Sequence, residues 1–205
     1  KAGQPFGLEA TEKELQDAFR SAWKNHVGFG IPTPENHIDD DARTRARWRN
    51  LVEDVFDRVQ SKQDRDACFS AFYDAFAQKE SWHVFDDVEP LLRGLVERGI
   101  SKGIISNWDA RLPPLLDTLA LTKHFDPILV SALEGIEKPN PKLFMKGCEK
   151  ASVDPSDVIY VGDIFEFDIA PTEKLGMKAF LIDREGQDKS PYAILSLLEI
   201  LDYLD

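Results

Sequence analysis

Residues 158–168 read Val158-Ile159-Tyr160-Val161-Gly162-Asp163-Ile164-Phe165-Glu166-Phe167-Asp168, an apolar run that closes on glycine and aspartate, with a second aspartate five positions on. A run this short, rich in β-branched and aromatic residues and stopped by glycine, predicts a buried strand over Val158 to Val161. An aspartate just past such a strand stands where open parallel sheets bind ligands, at the carboxyl ends. The neighbouring sequence repeats the theme. Upstream, Asn140-Pro141 is an N-cap and first-turn pair that opens a helix with Phe144 and Cys148 inward. Ile128 to Val130 predicts another strand, Leu112 to Leu119 a helix, and Lys102 to Ser106 a strand that ends in the polar turn Asn107-Trp108-Asp109. Before these, Val88, Leu91, Leu92, Leu95 and Val96 form a helix face, stopped by Gly99. Downstream, Ala179 to Ile182 predicts a strand. Pro191 to Leu204 predicts a leucine-rich helix that packs on the core or pairs with a second copy, so a homodimer is an open expectation. Short strands alternating with helices predict an α/β fold with a parallel sheet covered on both faces.

The first 80 residues predict helices alone. Thr11 and Glu14 make a capping box ahead of Leu15, Phe19, Ala22 and Trp23 at helical spacing. Gly28 to Asp41, with its prolines, glycines and aspartates, predicts a loop. Trp48, Leu51, Val52, Val55, Phe56 and Val59 then share one face of a second helix. Cys68, Phe69, Phe72, Tyr73 and Phe76 share a face of a third. Together they predict a small helical bundle over residues 1–81, followed by the sheet-bearing part over 82–205.

Composition narrows the classes of function. Thirty-seven acidic against 25 basic residues give a net charge of −12, which repels phosphate backbones and argues against a nucleic-acid partner. No apolar run approaches the roughly 18 residues of a membrane span, so no membrane partner is expected. Arg43 to Arg49 carries four arginines in seven residues and predicts the solvated face of an amphipathic helix. Cys68 and Cys148 each fall on an apolar helix stripe and predict reduced core residues. That pattern points to a reducing compartment, the cytoplasm, with organellar targeting left open. His26, His37, His83 and His124 show no paired spacing for a metal. Trp23, Trp48 and Trp82 predict core or seam packing, while Trp108 predicts the rim of a pocket.

Four groups stand at strand ends or just beyond: Ser106, Lys138 in Glu137-Lys138-Pro139-Asn140-Pro141, Asp163 and Asp168. Their chemistry is complementary. A hydroxyl and adjacent backbone N–H groups can donate to phosphoryl oxygens, and an ammonium can neutralise charge developing during attack. Two carboxylates on one turn can hold Mg²⁺, a hard cation that prefers oxygen and keeps water.

In this order, Ser106-Asn107, Lys138-Pro139 and Gly162-Asp163 with Asp168 resemble the second, third and fourth motifs of the haloacid dehalogenase superfamily. The phrasing ISNWDARL, GIEKPNPKLF and VGDIFEFDIAPTEKLGM is similar to its haloacid dehalogenase-like hydrolase domain-containing branch. The resemblance implies a three-layer Rossmann-like core with an inserted α-helical cap. It implies that Ser106, Asn107 and Lys138 bind the transferring phosphoryl group, with Ser106 and Lys138 serving catalysis. It also implies that Asp163 ligates Mg²⁺, with Asp168 ligating it or holding its waters. The activity so implied is Mg²⁺-dependent hydrolysis of a small phosphorylated metabolite through an aspartyl-phosphate. Dehalogenases of the superfamily use no metal and carry Ser-x-Asn-x-x-Asp where this chain has Gly-Asp, which favours the phosphatase.

The family's first motif, Asp-x-Asp at the end of the central strand, has no counterpart here. Its place lies between the strands ending in Ser106 and Asp163. A sheet without its middle strand leaves two edges unpaired, so about 20 further residues ahead of Lys1 are expected to carry that strand and the nucleophile. The alternative is a catalytically inactive relative that serves as a binding or structural subunit. A metal-free dehalogenase is a third reading, distinguished by activity that survives a chelator.

Overall fold

A computed structural model describes residues 10–26, 41–59 and 64–204. Lys1-Ala2-Gly3 and most of the predicted loop, with His37, Asp39 and Asp40, lie outside them.

Three helices come first. In α1 (Glu12–His26) the capping box forms: the Thr11 N–H donates to Glu14 Oε2 at 2.8 Å, and the Glu14 N–H to Thr11 Oγ1 at 3.3 Å. Ala18 and Ala22 are small enough to bring α1 close to Leu51 and Val55 of α2 (Asp41–Arg58), with Leu15, Trp23, Trp48 and Val59 around them. Helix α3 (Arg65–Ala75) opens on Asp64, whose carboxylate accepts from the Asp66 and Ala67 N–H groups, and it buries Cys68 and Phe69. Both cysteines are buried and reduced, as their stripe positions predict.

The rest is the α/β core, in three layers. Its elements are α4 (Val88–Glu97), β1 (Ile104–Ser106), α5 (Leu112–Thr118), β2 (Ile128–Val130), α6 (Ser131–Glu134), α7 (Pro141–Ala151), β3 (Ile159–Gly162), α8 (Ala170–Lys174), β4 (Lys178–Ile182) and β5 (Ala193–Ile194). All strand pairs are parallel: β1 with β2, β3 with β4, and β4 with β5. The alternation of strand side chains makes the layers. Ile159 and Val161 point to Phe180, Ile194 and Ile200, covered by Leu91 of α4. On the opposite face, Tyr160 and Ile105 pack on Phe144 and Cys148 of α7. Ile104, Ile128 and Val130 pack on Leu112 and Leu116 of α5.

Among the described residues the strands form two sheets, β1-β2 and β3-β4-β5, and β1 and β3 each keep one unpaired edge. These two strands are only half-buried, while β2 and β4 hold the dry positions Leu129, Val130, Ala179, Phe180 and Leu181. Both β1 and β3 send a side chain to α7.

The predicted C-terminal helix is not what forms. Ala193 and Ile194 pair with β4, and a 3₁₀ turn over Leu197–Tyr203 follows, capped by Ser196 and Glu199. Backbone pairing at the sheet edge claims the start of the segment. Of its apolar residues Ile194 and Ile200 end up buried, while Leu195 and Leu198 stay exposed. No helix among the described residues is long and apolar enough to cross a membrane.

An aromatic series joins the helical layer to the core. Trp23, Trp48, Phe76, Trp82 and Trp108 follow one another at 6.3, 5.1, 5.8 and 4.9 Å between ring centroids. Trp23, Trp48 and Trp82 therefore take the seam positions their sequence predicts. The Trp108 ring belongs to the same seam, against Trp82 and the α5 cluster.

Candidate active site

The ends of β1 and β3 meet at Lys138. Asn107, one residue past β1, uses both ends of its side-chain amide on the Lys138 backbone. Oδ1 accepts from the Lys138 N–H at 2.7 Å and Nδ2 donates to the Lys138 carbonyl at 2.9 Å. The Lys138 ammonium then reaches Asp168 beyond β3, with Nζ 2.6 Å from Oδ1. Both partners are largely withdrawn from water, a setting in which a charge-assisted hydrogen bond is short and strong.

Asp168 sits on a π-helical turn, Phe165–Ile169, and is almost fully buried. Turns of this wide kind recur at functional sites. Its Oδ1 also accepts from the Tyr160 hydroxyl at 3.2 Å, and its Oδ2 from the Ile164 N–H at 3.1 Å. Thr172 secures the turn from below, with Oγ1 donating to the Asp168 carbonyl at 2.5 Å. Gly162 makes the approach possible. A Cβ there would fall 2.2 Å from Asp168 Cγ, inside its van der Waals surface. Burial and the Asp168 charge together push the Tyr160 phenol well above its usual range, so it stays a donor.

Asp163, the first residue past β3, stays exposed by area, although the atoms packed around it still desolvate its carboxyl. Desolvation first, and the Asp168 charge second, hold its carboxyl above the ordinary range, with Lys138 acting in the opposite direction. An anionic oxygen raised in this way is a good host for a cation. The donor set fits Mg²⁺ unevenly. Asp163 offers an exposed carboxylate, whereas the Asp168 oxygens are engaged by Lys138, Tyr160 and a backbone N–H. Mg²⁺ needs only one or two carboxylates, since water and substrate oxygens fill its other positions. Among the described residues no cluster of three or more metal-binding side chains occurs.

Ser106 closes β1 opposite Val130 of β2, half-buried. The turn behind it is fixed on two sides. Ser131 Oγ bridges the Trp108 N–H and carbonyl, each at 3.1 Å. Asp109, 1% exposed, accepts from Arg111 Nε at 2.8 Å and Nη2 at 2.7 Å, and from the Tyr73 hydroxyl of α3 at 3.2 Å.

The sequence-predicted residues thus converge unequally. Asn107 and Asp168 both touch Lys138, and Ser106 and Asp163 flank them at the strand ends. The roles of Tyr160, Ser131, Asp109 and Arg111 are not foreseen from sequence. The one signal was alternation, which turns Tyr160 to the opposite face from Ile159 and Val161.

The family model described as haloacid dehalogenase-like hydrolase matches residues 11–182, which takes in all of these positions. The chain belongs to this family. Haloacid dehalogenase-like hydrolase domain-containing protein 3 of Homo sapiens is 30% identical, over 97% of this chain and 82% of that protein. A glyceraldehyde 3-phosphate phosphatase of Methanopyrus kandleri is 32% identical over 52% of this chain and 47% of its own length. Among solved structures, the HAD-hydrolase YfnB of Bacillus subtilis bound to magnesium superposes with a TM-score of 0.74 at 16% identity. That match covers 99% of this chain and 87% of the other. The haloacid dehalogenase-like fold, a Rossmann-like core with a helical cap, is therefore the architecture of this hydrolase chain.

Proposed function

We propose that the protein is a Mg²⁺-dependent phosphatase acting on a small phosphorylated metabolite in the cytoplasm, with residues 1–81 as its cap and 82–205 as its core. One observation carries this reading: Lys138 is held by Asn107 at the end of β1 and by Asp168 beyond β3. A cation is thereby fixed where the two strand ends converge, as transfer of an anionic group requires. The phosphatase name of the Methanopyrus relative and the Gly162-Asp163 ending support it.

In this reading the nucleophile is an aspartate on a strand that pairs with the free edges of β1 and β3. Its carboxylate oxygen forms a bond to phosphorus as the bond to the leaving oxygen breaks, and water then hydrolyses the aspartyl-phosphate. Ser106 Oγ and the Asn107 N–H donate to the phosphoryl oxygens. The Lys138 ammonium offsets the charge of the nucleophile and of the phosphoryl group. Asp168 holds that ammonium in place and keeps it from turning to solvent. Asp163, with Asp168 behind it, would hold Mg²⁺, which when bound lessens repulsion between two anions. The helical layer closes the site against water.

Turnover of p-nitrophenyl phosphate by the full-length protein is expected with Mg²⁺ and is expected to stop with a chelator. Asp163→Asn is expected to abolish it. Turnover that survives the chelator, or the substitution, would overturn the metal assignment, and phosphate binding without turnover would favour an inactive binding subunit.

A further inference from the structure

The arginine-rich stretch of α2 does more than face solvent. Arg45 lies over the Tyr73 ring at 4.5 Å, and Arg49 pairs with Glu53 and Asp66 within the helical layer. Arg47 instead reaches the core. Its guanidinium holds the Glu137 carboxylate with two donors, Nη1 to Oε2 and Nη2 to Oε1, the second at 3.2 Å. Glu137 is 5% exposed and is the residue directly before Lys138.

The geometry points to Arg47 as a positioning residue: by pairing with Glu137 it sets the Lys138 peptide, and through it the ammonium that serves the reaction. A carboxylate this dry depends on its partners. Take one away, and the remaining charge is driven toward water. Glu137 cannot move alone, because the next peptide is clasped by the Asn107 amide at 2.7 and 2.9 Å. Displacement of Glu137 therefore loosens that clasp and shifts Nζ from Asp168. A parallel tie holds the other loop, where the Tyr73 hydroxyl meets Asp109 and Arg111 donates to the Tyr73 carbonyl. Each loop of the phosphate site is anchored to one helix of the cap, α2 for Lys138 and α3 for Asn107. Docking of the cap and placement of the lysine are one event.

The inference rests on the phosphatase reading, and the test separates the two. Full-length wild type, Arg47→Gln, Glu137→Gln and the double variant are assayed with p-nitrophenyl phosphate and Mg²⁺, with thermal unfolding followed in parallel. Both single variants are expected to lose about tenfold in kcat with KM little changed, as a misplaced catalytic group does. The double variant is expected to be no worse than the poorer single one, because both remove the same interaction. Arg47→Lys, which keeps the charge without the planar fork, is expected to fall between wild type and Arg47→Gln, and it carries the test should Arg47→Gln fail to fold. A wild type without turnover overturns the phosphatase reading and this inference with it. Wild-type turnover with kcat unchanged in the variants overturns the inference alone. So does a rise in KM at constant kcat, which would make Arg47 a substrate contact.

Discussion

The setting of the Asp163 carboxylate works against stability. Its carboxyl is raised by lost water and by Asp168, so the folded chain binds its proton more tightly than the unfolded chain does. Across the interval from the ordinary value of 3.8 upward the folded state therefore carries more protons, and stability falls as pH rises. Above the raised value the cost is complete. At neutral pH without Mg²⁺, Asp163→Asn is expected to raise Tm by calorimetry while abolishing turnover. Excess Mg²⁺ is expected to raise the wild-type Tm and to leave the variant unmoved, since a ligand stabilises only the state that binds it. A variant that melts below wild type would show the carboxylate to be stabilising instead. Asp163, Asp168, Lys138 and Ser106 can be found in the sequence because strand ends and Gly-Asp spacing mark them. What Asn107 and Tyr160 do cannot be read there. An asparagine gives no sign that its amide will clasp a backbone rather than a ligand. A strand tyrosine looks like β-propensity until its hydroxyl is seen on Asp168.

Elements with a strong local signal form as their sequence predicts, and the one governed by distant contacts does not. The Ile128–Val130 strand and the Asn140-capped helix α7 match their sequence reading at one end or both. The tail departs because β4 claims its first residues and Asp87, more than 100 residues earlier, holds the turn that follows. That carboxylate accepts from Ser196 Oγ at 3.0 Å and the Leu197 N–H at 2.9 Å, besides Arg184 at 2.7 and 3.0 Å. Arg184 first, with Leu197 and Ser196 helping against burial, pulls the Asp87 carboxyl below its usual range. Its stabilising effect is thus present above 3.8 and is lost as pH falls through the depressed value. Asp87→Ala strands a half-buried guanidinium and frees the tail, so a loss of about 3 kcal/mol is expected in urea unfolding. A loss of under about 0.5 kcal/mol, within the scatter of surface substitutions, would mean that apolar packing of Ile200 docks the tail alone.

Taken together, the layers are sound except along one line. In a parallel sheet covered on both faces the inner strands are the driest, and here β1 and β3, each with an unpaired edge, are half-buried while their neighbours β2 and β4 hold the core. Helix α7 spans both strands through Ile105 and Tyr160, so the two sheets already share one cover. Each sequence motif is local, a strand end for Ser106 and Asp163 and the loop before α7 for Lys138. Pairing between strands is a property of the assembled sheet, and no single motif records it. If a strand carrying the nucleophile pairs with both free edges, the amides of β1 and β3 pointing away from β2 and β4 become hydrogen-bonded. Hydrogen exchange on the full-length protein distinguishes the cases, since unpaired edge amides open at almost no cost while core strands open only with global unfolding. Slow exchange is expected along Ile104–Ser106 and Ile159–Gly162, equal to that of Ala179–Leu181. Fast exchange confined to alternate residues of β1 and β3 would leave the edges open and remove the place from which an aspartate could attack.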